Sequence, residues 1–200
     1  EENFQEYFVI DDKTTLSSET QAIVNRDAVP LATASRFYFW DKHYSRFNVN
    51  KEPNEVNRFG WVVEIDPYDP SSKPIKRTAL GRCSHENAAY TLTSDNRVVV
   101  YMGDDKRFEL IYKFVSRRAY DKSNRAANMA VGTGILDDGD LYVARFDADG
   151  SGVWLPLKHG AVNPKDSSKV LDAAAGFNDL ADVLVKTRIT ATLMGATTMD

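Results

Sequence analysis

Residues 139–157, "GDLYVARFDADGSGVWLPL", contain two strand-forming runs with an Asp-Gly pair between them. Aromatic and β-branched residues favour strands, and an Asp-Gly pair between two such runs is typical of a β-hairpin turn. The acidic "DADG" also resembles the start of a calcium-binding loop. An EF-hand loop, however, needs a further ligand before its glycine and a glutamate at its twelfth position. The stretch therefore predicts a hairpin.

Four earlier stretches also predict strands. They are "GWVVEIDPYDP" at 60–70, "KRTALGRCSHENAAYTL" at 76–92, "NRVVVYMGDD" at 96–105 and "FELIYKFVS" at 108–116. The second is interpreted as one or two strands with a possible bulge at Gly81. Strands at this spacing indicate an all-β fold, either a sandwich, a barrel or a propeller. The positions of Trp61, Tyr101, Tyr112 and Trp154 suit the aromatic packing of propeller blades.

The C-terminal stretch at 175–196 interrupts the β pattern. "AGFNDLADVLVKTRITATLMGA" places Leu180, Val183, Leu184 and Leu193 on one helical face. Asn178 or Asp179 is a suitable N-cap and Gly195 a suitable C-terminal stop, so we expect one helix inserted on the β scaffold.

Two regions are predicted to be loops. Residues 121–139 form a loop with a helical turn around Arg125–Met129, and residues 1–60 form long ordered loops around the β scaffold. The length of the chain suits either one domain or part of a larger one.

Composition excludes several classes of protein. The net charge of −4 argues against a nucleic-acid partner, which usually meets a basic face. No apolar run approaches the ~20 residues of a membrane-spanning helix, so no membrane span is expected. A single cysteine rules out an internal disulfide. The chain also lacks a nucleophile elbow, a P-loop, a zinc-protease helix and a CxxC pair.

Cys83, His85 and Glu86 form the first candidate site. If this segment is a strand, Cys83 and His85 face one side and Glu86 the other, which disfavours one metal ion bound by all three. A Cys–His nucleophile pair remains open, as does a buried structural cysteine. Glu86 lies among small residues, where a buried carboxylate would need a counter-charge such as a metal ion.

The second candidate site is "MGDD" at 102–105, which places Asp104 and Asp105 at a strand end. Carboxylates there suit Ca²⁺, although a polar turn is the more common cause of such a pattern. "EENF" at 1–4 and "EPNEVNR" at 52–58 are further acidic clusters that are either calcium ligands or solvated loops. Without further information the residues indicate an acidic, β-rich domain with possible calcium sites.

Several of these stretches, in this order, resemble the PhoX family of bacterial alkaline phosphatases. The resemblance is carried by 54–89 ("NEVNRFGWVVEIDPYDPSSKPIKRTALGRCSHENAA"), "RVVVYMGDD", "FELIYKFVS", the hairpin stretch and 175–200, and it covers about residues 1–200. It implies that the chain is a fragment of a single six-bladed β-propeller phosphatase domain. It further implies export by the twin-arginine route to the periplasm or beyond, and hydrolysis of phosphomonoesters with Ca²⁺ and Fe³⁺.

The resemblance also implies roles for individual residues. Glu86, in "HEN", matches an iron-binding glutamate, whereas Glu2, Asp104 and Asp105 match the calcium-binding region. His85 is either a substrate-binding residue or a core histidine.

The family's two other functional groups are expected outside the chain. The iron-bridging cysteine would immediately precede Glu1, so Cys83 is not that ligand. A substrate-binding arginine would follow Asp200. We therefore expect the isolated fragment to be inactive, and its catalytic residues stay unassigned.

Two other functions remain as alternatives. One is a non-catalytic, calcium-stabilised β-propeller segment, and the other is a calcium-dependent propeller lactonase. In either case exposed sheet edges favour self-association of the fragment.

Overall fold

The computed structural model describes residues 1–199, and its chain divides into two compact units. The first is Glu1–Gly60 and the second begins at Trp61. Asp200, beside which the resemblance places a substrate-binding arginine, lies outside the described residues. Among residues 1–199, none of the helices is both long and apolar enough to cross a membrane.

The first unit is built mainly from loops and short 3₁₀ helices, as expected, but it also contains an α-helix. Helix α1 (Ser18–Asp27) begins where the Ser17 side chain accepts a hydrogen bond from the Thr20 N–H, and it ends at Ala28 in the left-handed conformation. The sequence did not predict it, because the short helix buries too few apolar residues to show a period. The 3₁₀ helices are Phe4–Tyr7, Lys13–Thr15, Trp40–Lys42, Ser45–Phe47 and Glu55–Arg58.

The second unit contains a five-stranded antiparallel sheet, which confirms the expected predominance of β structure. Two short antiparallel pairs accompany it, β1 (Val62–Glu64) with β2 (Ile75–Arg77) and β8 (Val162–Asn163) with β9 (Asp166–Val170). The main sheet joins sequential neighbours in the order β3 (Ala89–Leu92), β4 (Arg97–Gly103), β5 (Ile111–Ala119), β6 (Gly139–Phe146) and β7 (Gly152–Pro156).

The predicted hairpin is confirmed as β6 and β7. Phe146 lies opposite Gly152, and Gly150 takes a positive φ of 85° at the turn. The Asp149 carboxylate accepts hydrogen bonds from the N–H and hydroxyl of Ser151. This side chain therefore stabilises the turn.

One face of the sheet forms the core of the second unit. Alternating residues of β4, β5, β6 and β7 point to this face, as the two-residue period of a strand requires. The opposite face carries Tyr101 and Trp154, whose ring centroids lie 5.9 Å apart. The buried face includes Val98, Val100, Met102, Tyr112, Phe114, Leu141, Val143 and Leu155.

The predicted C-terminal helix is two helices, α3 (Leu180–Val185) and α4 (Thr187–Leu193), separated at Lys186. Asp179 is the N-cap, since its carboxylate accepts a hydrogen bond from the Asp182 N–H. The four residues predicted to share one helical face differ in burial, since Val183 is fully buried whereas Leu180 is 47% exposed. The helical turn predicted around Arg125–Met129 is confirmed as α2 (Arg125–Met129).

The prediction of strands through 76–92 is only partly correct. Strand β2 ends at Arg77, a 3₁₀ helix (Thr78–Leu80) follows, and no strand resumes until β3. Gly81 follows this 3₁₀ helix with a φ of +80°, and an added Cβ there would lie 2.6 Å from the Leu141 side chain, so the position requires glycine. Cys83, Ser84 and His85 are consecutive buried residues, so the expected alternation of faces does not hold in this segment.

Arg77 is fully buried beside the sheet. Its Nε donates to Glu64 over 2.6 Å and its Nη1 donates to Asp137 over 2.6 Å. Its Nη2 donates to the carbonyl of Met129 over 2.7 Å. This one guanidinium therefore joins three segments, 62–64, 125–130 and 137.

Substitution of Arg77 by Ala should lower the free energy of unfolding by about 3 kcal/mol, because it leaves two poorly solvated carboxylates without a counter-charge. Urea denaturation monitored by circular dichroism measures this change. The control is Arg97→Ala, which removes the exposed pair with Asp95 and should change stability little. Equal effects of the two substitutions would contradict this account of the buried arginine.

Candidate metal centre

The structure brings Glu86 and Asp105 together at one edge of the second unit. Each side chain is exposed, and each offers a carboxylate oxygen within 4.8 Å of the other's. Glu86 follows the irregular segment 81–85, and Asp105 lies just beyond the end of β4. Two carboxylates this close repel each other in water, and the repulsion falls when a cation binds between them.

Backbone hydrogen bonds fix the two carboxylate-bearing segments side by side. The Asp105 N–H donates to the Ser84 carbonyl over 2.8 Å, and the Glu86 N–H donates to the Gly103 carbonyl over 3.1 Å. His85 and Asp104 form an isolated antiparallel bridge between these bonds. The positions of Glu86 and Asp105 are therefore set by main-chain pairing rather than by flexible loops.

Asp104 differs from Asp105 in its surroundings. The Asp104 side chain is fully buried, and the guanidinium of Arg188 on α4 binds both of its oxygens, with Nε 2.6 Å from Oδ2. The Arg188 side chain is only 3% exposed. Asp104 also accepts a weaker hydrogen bond from the Ser84 N–H, at 3.3 Å.

Cys83 and His85 contact each other inside the core. The Cys83 sulfur lies 3.6 Å from the imidazole, and His85 Nε2 donates to the Gly81 carbonyl over 3.0 Å. Burial raises the pKa of the Cys83 thiol well above its usual value and lowers the pKa of His85 to about 4. Both groups are therefore neutral at pH 7, which favours the structural interpretation of Cys83 over a thiolate nucleophile.

Glu2 belongs to the first unit. Its main-chain carbonyl accepts a hydrogen bond from the Phe4 N–H over 2.9 Å at the start of the first 3₁₀ helix, and its carboxylate accepts one from the Asn3 amide. The neighbouring Glu1 carboxylate accepts a hydrogen bond from the Gly60 N–H over 3.0 Å.

The acidic cluster at 52–58 contains an ion pair. Glu55 is buried, and its carboxylate is bound by Arg46 and Arg58. These contacts give Glu55 a structural role, because its charge is already compensated by two arginines.

The sequence did not identify Arg188 as part of the candidate site. Its position offered a usable signal, because it follows Leu184 by four residues and so shares the buried side of the predicted helix. A lone arginine on such a face needs a buried acidic partner, since a desolvated charge is rarely left unpaired.

The donors of Glu86 and Asp105 fit a hard cation. Both offer only carboxylate oxygens, which suit Ca²⁺ or ferric iron better than the thiolate and imidazole sets of zinc sites. Calcium takes about six to eight oxygen ligands, so two carboxylates supply part of a coordination sphere. The metal-binding roles predicted for Glu2, Glu86, Asp104 and Asp105 stay predictions, as does the substrate-binding role predicted for His85.

The protein is β-rich, and it brings together two exposed carboxylates, a donor set of the kind that suits a hard cation. A family model described as "Alkaline phosphatase PhoX" matches residues 1–200. The chain therefore belongs to the PhoX alkaline phosphatase family, and the resemblance seen in the sequence is confirmed.

One solved structure shows the same relationship. It is Pseudomonas fluorescens PhoX in complex with vanadate, a transition state analogue, and it is 48% identical to this chain with a TM-score of 0.85. The match covers 100% of this chain and 33% of that one, so the chain spans about a third of the length of the solved relative. No curated protein sequence matches.

The buried thiol gives a direct test of the local geometry. Cys83 is 1% exposed and its pKa is raised by burial, so a thiol-reactive reagent such as DTNB should label it only as fast as the protein unfolds. Complete labelling in guanidinium chloride is the control. Rapid labelling of the native protein at pH 7 would contradict the buried, neutral thiol.

Proposed function

We propose that this chain is part of an alkaline phosphatase that hydrolyses phosphomonoesters, and that it contributes carboxylate ligands to a calcium- and iron-containing centre. The observation that carries the proposal is the pairing of Glu86 with Asp105 in a chain that belongs to this family over all 200 residues. The vanadate bound by the solved relative supports phosphoryl transfer as the reaction class.

The proposed ligands divide between two kinds of ion. Glu86 binds ferric iron, and Glu2 and Asp105 bind calcium. For Asp104, which the sequence also assigned to calcium, the contacts with Arg188 favour a supporting role instead. Such ions, when bound, stabilise the charge on the phosphate oxygens and lower the pKa of a bound oxygen nucleophile.

The chain's own contribution is to hold the ligands in place before the substrate arrives. Glu86 and Asp105 are exposed, so their oxygens are accessible to an ion and a substrate. The Asp105 N–H is bonded to the Ser84 carbonyl and the Glu86 N–H to the Gly103 carbonyl. The two segments are therefore already held together, and little reorganisation of the backbone is needed when an ion binds. Ligands fixed in this way stabilise a transition state more effectively than mobile ones.

The remaining predictions extend to the whole protein. The five-stranded sheet would be one blade of a β-propeller, and the protein would act in the periplasm or outside the cell. His85, if it contributes to substrate binding, would do so indirectly, because its ring is buried. In the isolated chain, the exposed edge strand β3 would favour self-association.

Glu86→Gln and Asp105→Asn should each lower kcat/KM for an aryl phosphate by about 100-fold or more, since even outer-shell changes at metal sites cost 10–100-fold. The measurement is hydrolysis of p-nitrophenyl phosphate by the full-length protein with Ca²⁺ and iron. Asp149→Asn is the matched control, because that carboxylate lies in the hairpin turn and should leave activity unchanged.

Elemental analysis of the same preparations completes the test. Loss of iron in Glu86→Gln and of calcium in Asp105→Asn would support the proposed division of ligands. A wild-type protein that binds both metals yet hydrolyses lactones instead of phosphomonoesters would refute the proposed reaction.

A further inference from the structure

Asp104 and Asp105 are neighbours in sequence with different environments. The Asp105 side chain is exposed beside Glu86, whereas the Asp104 side chain is fully buried and held by the forked guanidinium of Arg188. A bidentate arginine–carboxylate contact fixes both the orientation of the carboxylate and its distance from the guanidinium. Asp104 therefore directs its oxygens toward Arg188 on α4, away from solvent.

This ion pair is connected to the carboxylate pair through the backbone. Asp104 Oδ1 accepts a hydrogen bond from the Ser84 N–H, and the Ser84 carbonyl accepts one from the Asp105 N–H. The Glu86 N–H donates a second hydrogen bond between the same two segments, to the Gly103 carbonyl. A shift of Asp104 would therefore move both the segment that carries Glu86 and the one that carries Asp105.

We propose that Asp104 and Arg188 form a positioning pair that holds the segments of Glu86 and Asp105 in place and so sets the Ca²⁺ affinity of Asp105, without either residue contacting a metal ion. The inference rests on the proposed function, because it takes Glu86 and Asp105 as ligands. It assigns Asp104 a role different from that of Asp105, and it gives a role to a helix of the fold that carries no ligand.

Two single substitutions test separately the forked geometry of the Arg188 contact and the negative charge of Asp104. Arg188→Lys keeps the positive charge but loses the forked contact, and Asp104→Asn keeps the shape but loses the negative charge. Each should weaken Ca²⁺ binding about tenfold while the number of bound calcium ions stays the same. Asp105→Asn, a ligand substitution, should instead lower that number or weaken binding by at least about 100-fold.

The measurements are made on full-length protein treated with chelator and titrated with calcium chloride in a calorimeter, with thermal unfolding recorded in parallel. Arg77→Lys is the matched control, because Arg77 is another fully buried arginine bound to two carboxylates. It should lower the unfolding temperature and leave the Ca²⁺ affinity unchanged.

A double-mutant cycle adds a readout that general destabilisation does not produce. If Asp104 and Arg188 act as one unit, the double variant Asp104→Asn with Arg188→Lys should weaken Ca²⁺ binding no more than the more severe of these two single changes. Effects that multiply would show that the two residues act independently and would overturn the inference.

Two other results would also overturn it. Loss of a bound calcium ion in Asp104→Asn, as in Asp105→Asn, would make Asp104 a ligand. An unchanged affinity in both single variants, or no Ca²⁺ binding by the wild-type protein, would remove the positioning role. Phosphatase activity is scored separately, so a wild-type protein that binds Ca²⁺ without hydrolysing phosphomonoesters would refute the proposed function alone.

Discussion

The buried contact between Arg188 and Asp104 is the constraint on which the arrangement of the second unit depends. Helix α4 packs its apolar side chains into the core beneath the sheet, and this packing removes Arg188 from water. A desolvated guanidinium requires a counter-charge with matching geometry. Asp104 provides it, so the end of β4 must lie where α4 can reach it.

Buried arginines also determine which carboxylates stay available for a cation. Arg77 binds Glu64 and Asp137, and Arg188 binds Asp104, so each of these acids is compensated within the protein. Glu86 and Asp105 instead face solvent beside each other. A cation bound between them would relieve their mutual repulsion, so the pair suits the proposed metal-binding role.

Local signals predicted part of this structure and failed elsewhere for identifiable reasons. The hairpin at 139–157 was predictable because an Asp-Gly turn between strand-forming runs is a short-range signal. The interruption after Arg77 was not, and the need for glycine at 81 was equally hidden, because it comes from Leu141, 60 residues away in sequence. Glu86 and Asp105 were identified as candidates, but distinguishing Asp104 from Asp105 required a partner 84 residues further along the chain.

The segment from Cys83 to Glu86 shows how a cluster of metal-binding residue types can have a mainly structural role. Cys83 and His85 are neutral and buried, and their contact with each other and with the Gly81 carbonyl anchors the segment in the core. A thiolate or an imidazolium there would be destabilised by burial, and that cost would disfavour the folded geometry. Cys83 and His85 thus form an uncharged anchor in the core, and Glu86 is the residue of this segment whose charged side chain faces solvent. This uncharged, buried anchor beneath the exposed Glu86 carboxylate is consistent with the proposed ligand role of Glu86, because the anchor adds no competing charge and ties the segment to the core.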